Sequence, residues 1–261
     1  MKKILQIGLI LSLFFSIHTL SAHDLKGAVA SDDRSPKNII RDNHRNPLET
    51  LSFFGLESDM VIVELSPGGG WYTEILANFI HYPGTLIAAH FSSDSERAYF
   101  KRSRSNFEKK MASDSMYGRV EIVDLDSELS DPSTVDAVLT FRNLHNWLGP
   151  TMDNIFSNTH KALKPGGIFG IVEHRAKPGT SMDMMRKSGY VTEAHAIAIA
   201  EKHGFELVAK SEINANPKDL KDHPKGVWTL PPNLRLKETD KEKYLEIGES
   251  DRMTLLFRKP I

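Results

Sequence analysis

Two stretches of this 261-residue sequence combine residue types that do chemistry. The first is Glu64-Leu65-Ser66-Pro67-Gly68-Gly69-Gly70, where glycines let the backbone approach a ligand that a Cβ would exclude. The second is Phe141-Arg142-Asn143-Leu144-His145-Asn146-Trp147, which sets a guanidinium, an amide and an imidazole close together. Further on, Glu173-His174-Arg175 repeats that mixture. His145 and His174 are the groups in these stretches able to exchange a proton near neutral pH. The 11 histidines are otherwise scattered, and no pair lies at i, i+4 beside a carboxylate, so no metal site is indicated. The sequence has no cysteine, which removes thiolate nucleophiles, zinc–thiolate sites and disulfides.

These stretches must be held by regular elements, and the pattern supplies them. Residues 60–65, Met-Val-Ile-Val-Glu-Leu, form a short β-branched run typical of a strand buried on both faces. Beyond the glycines, Trp71, Ile75 and Phe79, then Tyr72, Leu76 and Ile80, recur at i, i+4 and predict an amphipathic helix. Strand, glycine turn and helix make the first half of a nucleotide-binding unit. Strands are predicted again over 85–91, 119–123, 135–141, 168–173, 205–210 and 253–258. Helices are predicted over 96–111, 152–163 and 192–203. Such alternation implies a mostly parallel sheet with helices on both faces, an α/β class with ligands at the carboxyl edge of the strands. The run after the fourth strand and Glu173-His174-Arg175 after the fifth fall on that edge.

Ahead of the first strand, Asn46, Pro47 and Glu49 predict a capped helix. Residues 23–45 read as an N-terminal arm, loose at least to Asn38. The proline- and charge-rich stretch 214–251, with Gly226-Val227-Trp228 and Pro231-Pro232, reads as a lid in preference to a disordered loop. Lys2 and Lys3, an apolar run to Phe15 and Leu20-Ser21-Ala22 have the layout of a secretory signal peptide cleaved after Ala22, which predicts a periplasmic or secreted protein. No later segment is apolar enough to span a bilayer. Lysine plus arginine (33) nearly balances aspartate plus glutamate (34), which argues against nucleic acid as partner. No feature of the sequence sets an oligomeric state.

Over residues 45–260 the order of motifs resembles class I S-adenosylmethionine-dependent methyltransferases. Glu64 holds that family's acidic position, Ser66 replaces its first glycine, and Gly68 and Gly70 hold the others. Leu163-Lys164-Pro165-Gly166-Gly167 matches its turn before strand five, and residues 252–260 its antiparallel last strand. The Pro-Gly-Gly-Gly-Trp-Tyr-Thr-Glu-Ile-Leu and Gly-Glu-Ser-Asp-Arg-Met runs are similar to those of a group of exported methyltransferases. The resemblance implies a seven-stranded Rossmann-like sheet and S-adenosyl-L-methionine as cofactor. It implies cofactor contacts from Glu64, Ser66, Gly68, Gly69, Gly70, Arg142 and Asn143. It also implies a ribose ligand after strand two, either His90 or Asp94, and an adenine ligand after strand three, Asp124 or its competitor Asp126.

Leu144-His145-Asn146-Trp147 is similar to a run of small-molecule O-methyltransferases in which the histidine is the base, with Asn146 here replacing an aspartate. That implies a small-molecule acceptor methylated at oxygen, with His145 as base; the alternative is a cofactor-site or structural histidine. Glu173-His174-Arg175, leaving strand five on the same edge, reads as a substrate contact or a support for His145, with His174 a catalytic candidate, or as a charged loop. Trp71 and Trp147 either face the sulfonium or pack in the core. The asparagine-proline-proline run of amine methyltransferases is absent, so N-methylation is less favoured. A second reading is a periplasmic ligand-binding protein that keeps the fold without the reaction; a cavity blocked by Trp228 would favour it.

Overall fold

The computed structural model describes residues 24–261; the signal-peptide segment lies outside them. Three short helices open the chain: α1 (Leu25–Val29), α2 (Pro36–Ile39) and α3 (Asp42–Arg45). Then come α4 (Pro47–Phe53), β1 (Val61–Leu65), α5 (Trp71–Phe79), β2 (Thr85–His90), α6 (Ala98–Met111) and β3 (Val120–Asp124). β4 (Val135–Phe141), α7 (Leu144–Trp147), α8 (Pro150–Ala162), β5 (Leu163–His174), α9 (Met182–Ser188) and α10 (Glu193–Lys202) follow. The chain finishes through β6 (Glu206–Ser211), α11 (Lys241–Ile247) and β7 (Arg252–Arg258).

The strands form one sheet in the order β3-β2-β1-β4-β5-β7-β6. β7 runs antiparallel to both β5 and β6, and the other pairings are parallel. Alternate residues of each strand feed opposite faces, so Ile62, Leu86 and Ala137 join one core, while Val63, Ile87 and Val138 join the other. α4 and α5 cover the first face, and α8 and α10 the second. The fold class and the order of elements agree with the sequence reading. Among the described residues, no helix is long and apolar enough to cross a membrane.

The N-terminal arm differs from the expectation of a loose segment. Arg34 is 1% exposed, clamped bidentately by Asp42 and donating to the Val29 carbonyl. Ser35 donates from its hydroxyl and its amide to Glu74 on α5. Polar composition misleads here because Arg34, Asp42 and Arg41 are held in ion pairs and Ser35 is bound to α5. Asn46 also departs from its capping role. It takes a left-handed conformation (φ 41°), and its amide donates to the Ile213 carbonyl instead of capping α4.

The 214–251 stretch is ordered. Buried Asp219 accepts hydrogen bonds from Tyr190 Oη, the Asp251 amide, the Lys221 amide and His223 Nε2. The short 3₁₀ turn Gly226–Thr229 docks on α9 so closely that a Cβ at Gly226 would lie 1.9 Å from the Ser188 carbonyl. That docking delivers Trp228 to the carboxyl edge of the sheet.

Candidate functional site

β1 and β4 are neighbours, and both end in non-glycine residues with left-handed backbones: Ser66 (φ 50°) and Arg142 (φ 63°). Such conformations cost energy for L-residues and persist where surrounding structure fixes them. The Ser66 amide donates to the Ala89 carbonyl, and the Arg142 amide to the Val172 carbonyl, so each turn is pinned by the next strand. Asn143 joins the two turns, its amide donating to the carbonyls of Leu65 and Ser66.

Two cavities meet here, and both are lined by Ser66 and Asn143. One, about 690 Å³, is walled by Phe91, Asp94, Phe100, Asp126 and Trp147. The other, about 420 Å³, is walled by Gly68, Gly69, Arg45, Arg142, His145 and Trp228. Trp228 is one of its lining residues, beside a volume that remains about 420 Å³. Nothing lies within 4 Å of a Cβ built at Gly68 or at Gly69, so these glycines border free space. The Ser66 hydroxyl is buried and has no hydrogen-bond partner among the described residues. A bare cradle beside an unpaired hydroxyl suits a ligand with both polar and apolar parts.

The glycine turn is braced from behind. Lys110 on α6 donates to the carbonyls of Gly69 and Gly70 and pairs with Glu74 at 2.7 Å. His90 Nδ1 accepts the Phe91 amide, so the ring proton sits on Nε2, which donates to the Gly68 carbonyl at 3.2 Å. Burial holds His90 below the ordinary histidine range, consistent with a neutral ring. Both nitrogens are committed, and His90 lines neither cavity, in contrast to its expected place at a ribose; Asp94 does line the larger one.

Asp124 is likewise drawn away, paired with Arg104 at 2.8 Å, while Asp126 lines the larger cavity. Of each pair of alternatives in the sequence, the structure brings the second to the site. Trp71 packs in the core with its indole N–H on the Asn38 carbonyl, yet one side borders the smaller cavity; Trp147 is buried and borders the larger.

Glu64 also sits behind the turn, outside both cavity linings, and accepts from the Thr73 hydroxyl at 2.6 Å. Burial raises its pKa from 4.5 to about 7, with Thr73 and Lys110 opposing. A folded pKa above the unfolded one means that stability is full below pH 4.5 and is lost as pH rises through 7. Glutamine keeps the acceptor for Thr73 and cannot ionise. Glu64→Gln is therefore expected to gain about 3 kcal/mol on wild type between pH 4.5 and pH 8. Thermal melts at both pH values check this, and parallel pH dependences would refute it.

At the end of β4 the imidazole of His145 meets Glu173 of β5. Nδ1 lies 3.1 Å from the fully buried Glu173 carboxylate, which also accepts the amide of His174 at 2.7 Å. A carboxylate on Nδ1 places the ring proton there and leaves Nε2 as the basic nitrogen. His174 hydrogen-bonds Ser250 through Nδ1 and borders the smaller cavity. Burial, then nearby His145 and arginines, keep it well below the ordinary range. Arg175 turns away, bound to Asp251 and Glu212.

His145, Glu173 and His174 are the one group among the described residues whose atoms could converge on a metal. Their neighbours are cationic, since Arg45, Arg142 and Arg252 all act on His174, which opposes a divalent cation. Arg142 is legible beside its strand, but Arg41 and Arg45 escape a sequence reading, because they reach the site from the arm, where Arg41 pairs with Glu249 at 2.6 Å and Arg45 lies 3.7 Å from it.

No family model and no curated protein matches this sequence. Solved structures do. The S-adenosylmethionine-dependent methyltransferase from Aquifex aeolicus matches with a TM-score of 0.58 at 14% identity, over 90% of this chain and 98% of that one. Geranyl diphosphate C-methyltransferase from Streptomyces coelicolor, solved with S-adenosyl-L-homocysteine, gives 0.58 at 12% identity over 89% and 84%. The (4+2)-cyclase SpnF gives 0.59 at 16% identity over 91% and 92%. At these identities the likeness establishes architecture: the chain has the Rossmann-like fold of class I methyltransferases.

Proposed function

We propose that this protein transfers a methyl group from S-adenosyl-L-methionine to a small molecule, with oxygen the favoured acceptor atom. The reading is carried by the two cavities that meet at Ser66 and Asn143, beside a glycine cradle that any side chain would fill. The residues present fit the cofactor on both sides of that junction. Phe91, Phe100 and Asp126 offer aromatic faces and a carboxylate for an adenine, and Asp94 offers a carboxylate for ribose hydroxyls. Gly68, Gly69 and the free Ser66 hydroxyl border the space that suits the methionine part.

When bound, the cofactor supplies a sulfonium methyl open to in-line attack. The chain's task is then positioning, exclusion of water and removal of one proton. His145 Nε2 is the base, Glu173 holds its ring and tautomer, and His174 closes the wall behind it. Trp228 and Arg142 line the acceptor space.

Calorimetric titration of residues 23–261 with S-adenosylmethionine and S-adenosylhomocysteine tests the reading. Binding at roughly micromolar strength or better is expected. No binding by a chain with a cooperative thermal transition would retire it. We also infer export through residues 1–22, on the strength of the basic, apolar and small-residue order of that segment. A compartment-sensitive reporter fused after residue 30 should signal outside the cytoplasm; a cytoplasmic signal would sink export.

A further inference from the structure

We propose that the molecule methylated is an anion, whose carboxylate or phosphate seats on Arg45 and Arg142 in the 420 Å³ cavity. The proposal rests on the methyl-transfer reading and adds the chemical class of the acceptor.

Four cations line this cavity: Lys37, Arg41, Arg45 and Arg142. No described aspartate or glutamate lines it. Behind them a single carboxylate, Glu249, serves several guanidiniums. Arg41 binds it at 2.6 Å and Arg252 binds it from the other side, while Arg45 Nε stays 3.7 Å away. Arg142 makes no ion pair with any described residue. Against burial, which raises it, four arginines hold the Glu249 pKa down at about 2, so it stands ionised as one negative charge among several guanidiniums.

Arg45 carries the argument. It is 2% exposed, and its Nε and Nη1 have no hydrogen-bond partner among the described residues. Buried donors left unpaired are costly, and a buried charge more so. The guanidinium is nonetheless held in place, lying over the Trp71 ring at 4.4 Å. Burial and the charge of Arg142 push its pKa down, a cost that a bound anion removes. Two of its N–H groups are thus held in place without a hydrogen-bond partner, and a guanidinium so placed is suited to contact with carboxylate or phosphate.

The cofactor cannot supply what is missing. It carries a sulfonium and an ammonium against one carboxylate, so it enters with net positive charge. Its carboxylate can answer one of the lining cations, and the rest remain. An anionic acceptor balances them, and because His145 lines the same cavity, an acceptor anchored on Arg142 lies beside the base. A neutral or cationic acceptor would leave the repulsion standing.

The test uses calorimetry on protein loaded with S-adenosylhomocysteine, titrated with inorganic phosphate, with succinate and with choline as a cationic control. One of the two anions should bind with Kd on the order of 1 mM or tighter, and which one is tighter identifies the head group. Arg142→Gln should weaken that binding by roughly tenfold or more, and Arg142→Lys should recover part of it. Binding of choline, no binding of either anion, or equal anion binding by a folded Arg142→Gln protein would overturn the proposal. Should that variant fail to fold, the wild-type titrations with anions and choline decide alone. Anion binding that depends on Arg142, without any binding of S-adenosylhomocysteine, would keep the anion seat and remove methyl transfer.

Discussion

Gly69→Val leaves the protein folded and removes its affinity for S-adenosylhomocysteine. A Cβ at Gly69 meets nothing within 4 Å, and its backbone does not need the left-handed region, so the fold has no reason to object. The added atoms instead enter free space beside the turn, whose glycines line the smaller cavity. A loss of about 100-fold, some 3 kcal/mol, is expected for a ligand forced off its cradle. Gly68→Val should act likewise but at a cost in stability, because φ there is +59° and a β-branched residue is strained in that region. The pair therefore separates occlusion from strain. Thermal melting and calorimetry on both variants give the answer, and wild-type affinity in folded Gly69→Val would discard the glycine turn as the binding element.

His145→Ala should spare cofactor binding and depress turnover by about two to four orders of magnitude, the usual span for a lost general base. Glu173→Gln should fall between the variant and wild type. The amide offers one oxygen where the carboxylate oxygens accept from the amides of His145 and His174 and from His145 Nδ1. With the amide oxygen at the Oε1 position the bonds to His145 Nδ1 and the His174 amide survive, the His145 amide is left facing an N–H group, and the negative charge that would stabilise a protonated imidazole is gone. Rates and pH profiles of the three proteins decide the matter. Equal loss of binding and turnover in His145→Ala would make His145 a binding residue instead.

The sheet was legible because its central strands are buried on both faces. Val61-Ile62-Val63 and Val135 to Phe141 read as strands from composition, and the i, i+4 stripe of α5 from spacing. The glycine turn and His145 were legible for a similar reason, since each follows its strand directly. The pairing of His145 with Glu173 was foreseen only as one option, because it needs β4 and β5 to lie side by side in the right register. His90, Glu64 and Asp124 were assigned by position at strand ends. Position does not reveal that a side chain's polar atoms are already taken by Gly68, Thr73 or Arg104. The cations from the arm left no local signal at all. Arg41 and Arg45 sit among polar residues, as solvated side chains do, and only tertiary contact with Glu249 separates them from such residues.

That clasp between the arm and Glu249 also sets a schedule. Arg41 and Glu249 are 208 residues apart, as are the His44 carbonyl and Arg252 that bind beside them. The glycine turn, the β4 edge and the His145–Glu173 pair are all synthesised before Glu249 exists. A nascent chain arrested after β6 would carry every proposed reacting group and still lack the counter-charge that holds the arm's arginines over the cavity. Contacts of such sequence separation form late, because the loop they close is nearly the whole domain. The proposed anion seat thus depends on both ends of the domain, and only a chain that reaches Glu249 supplies the counter-charge that holds it.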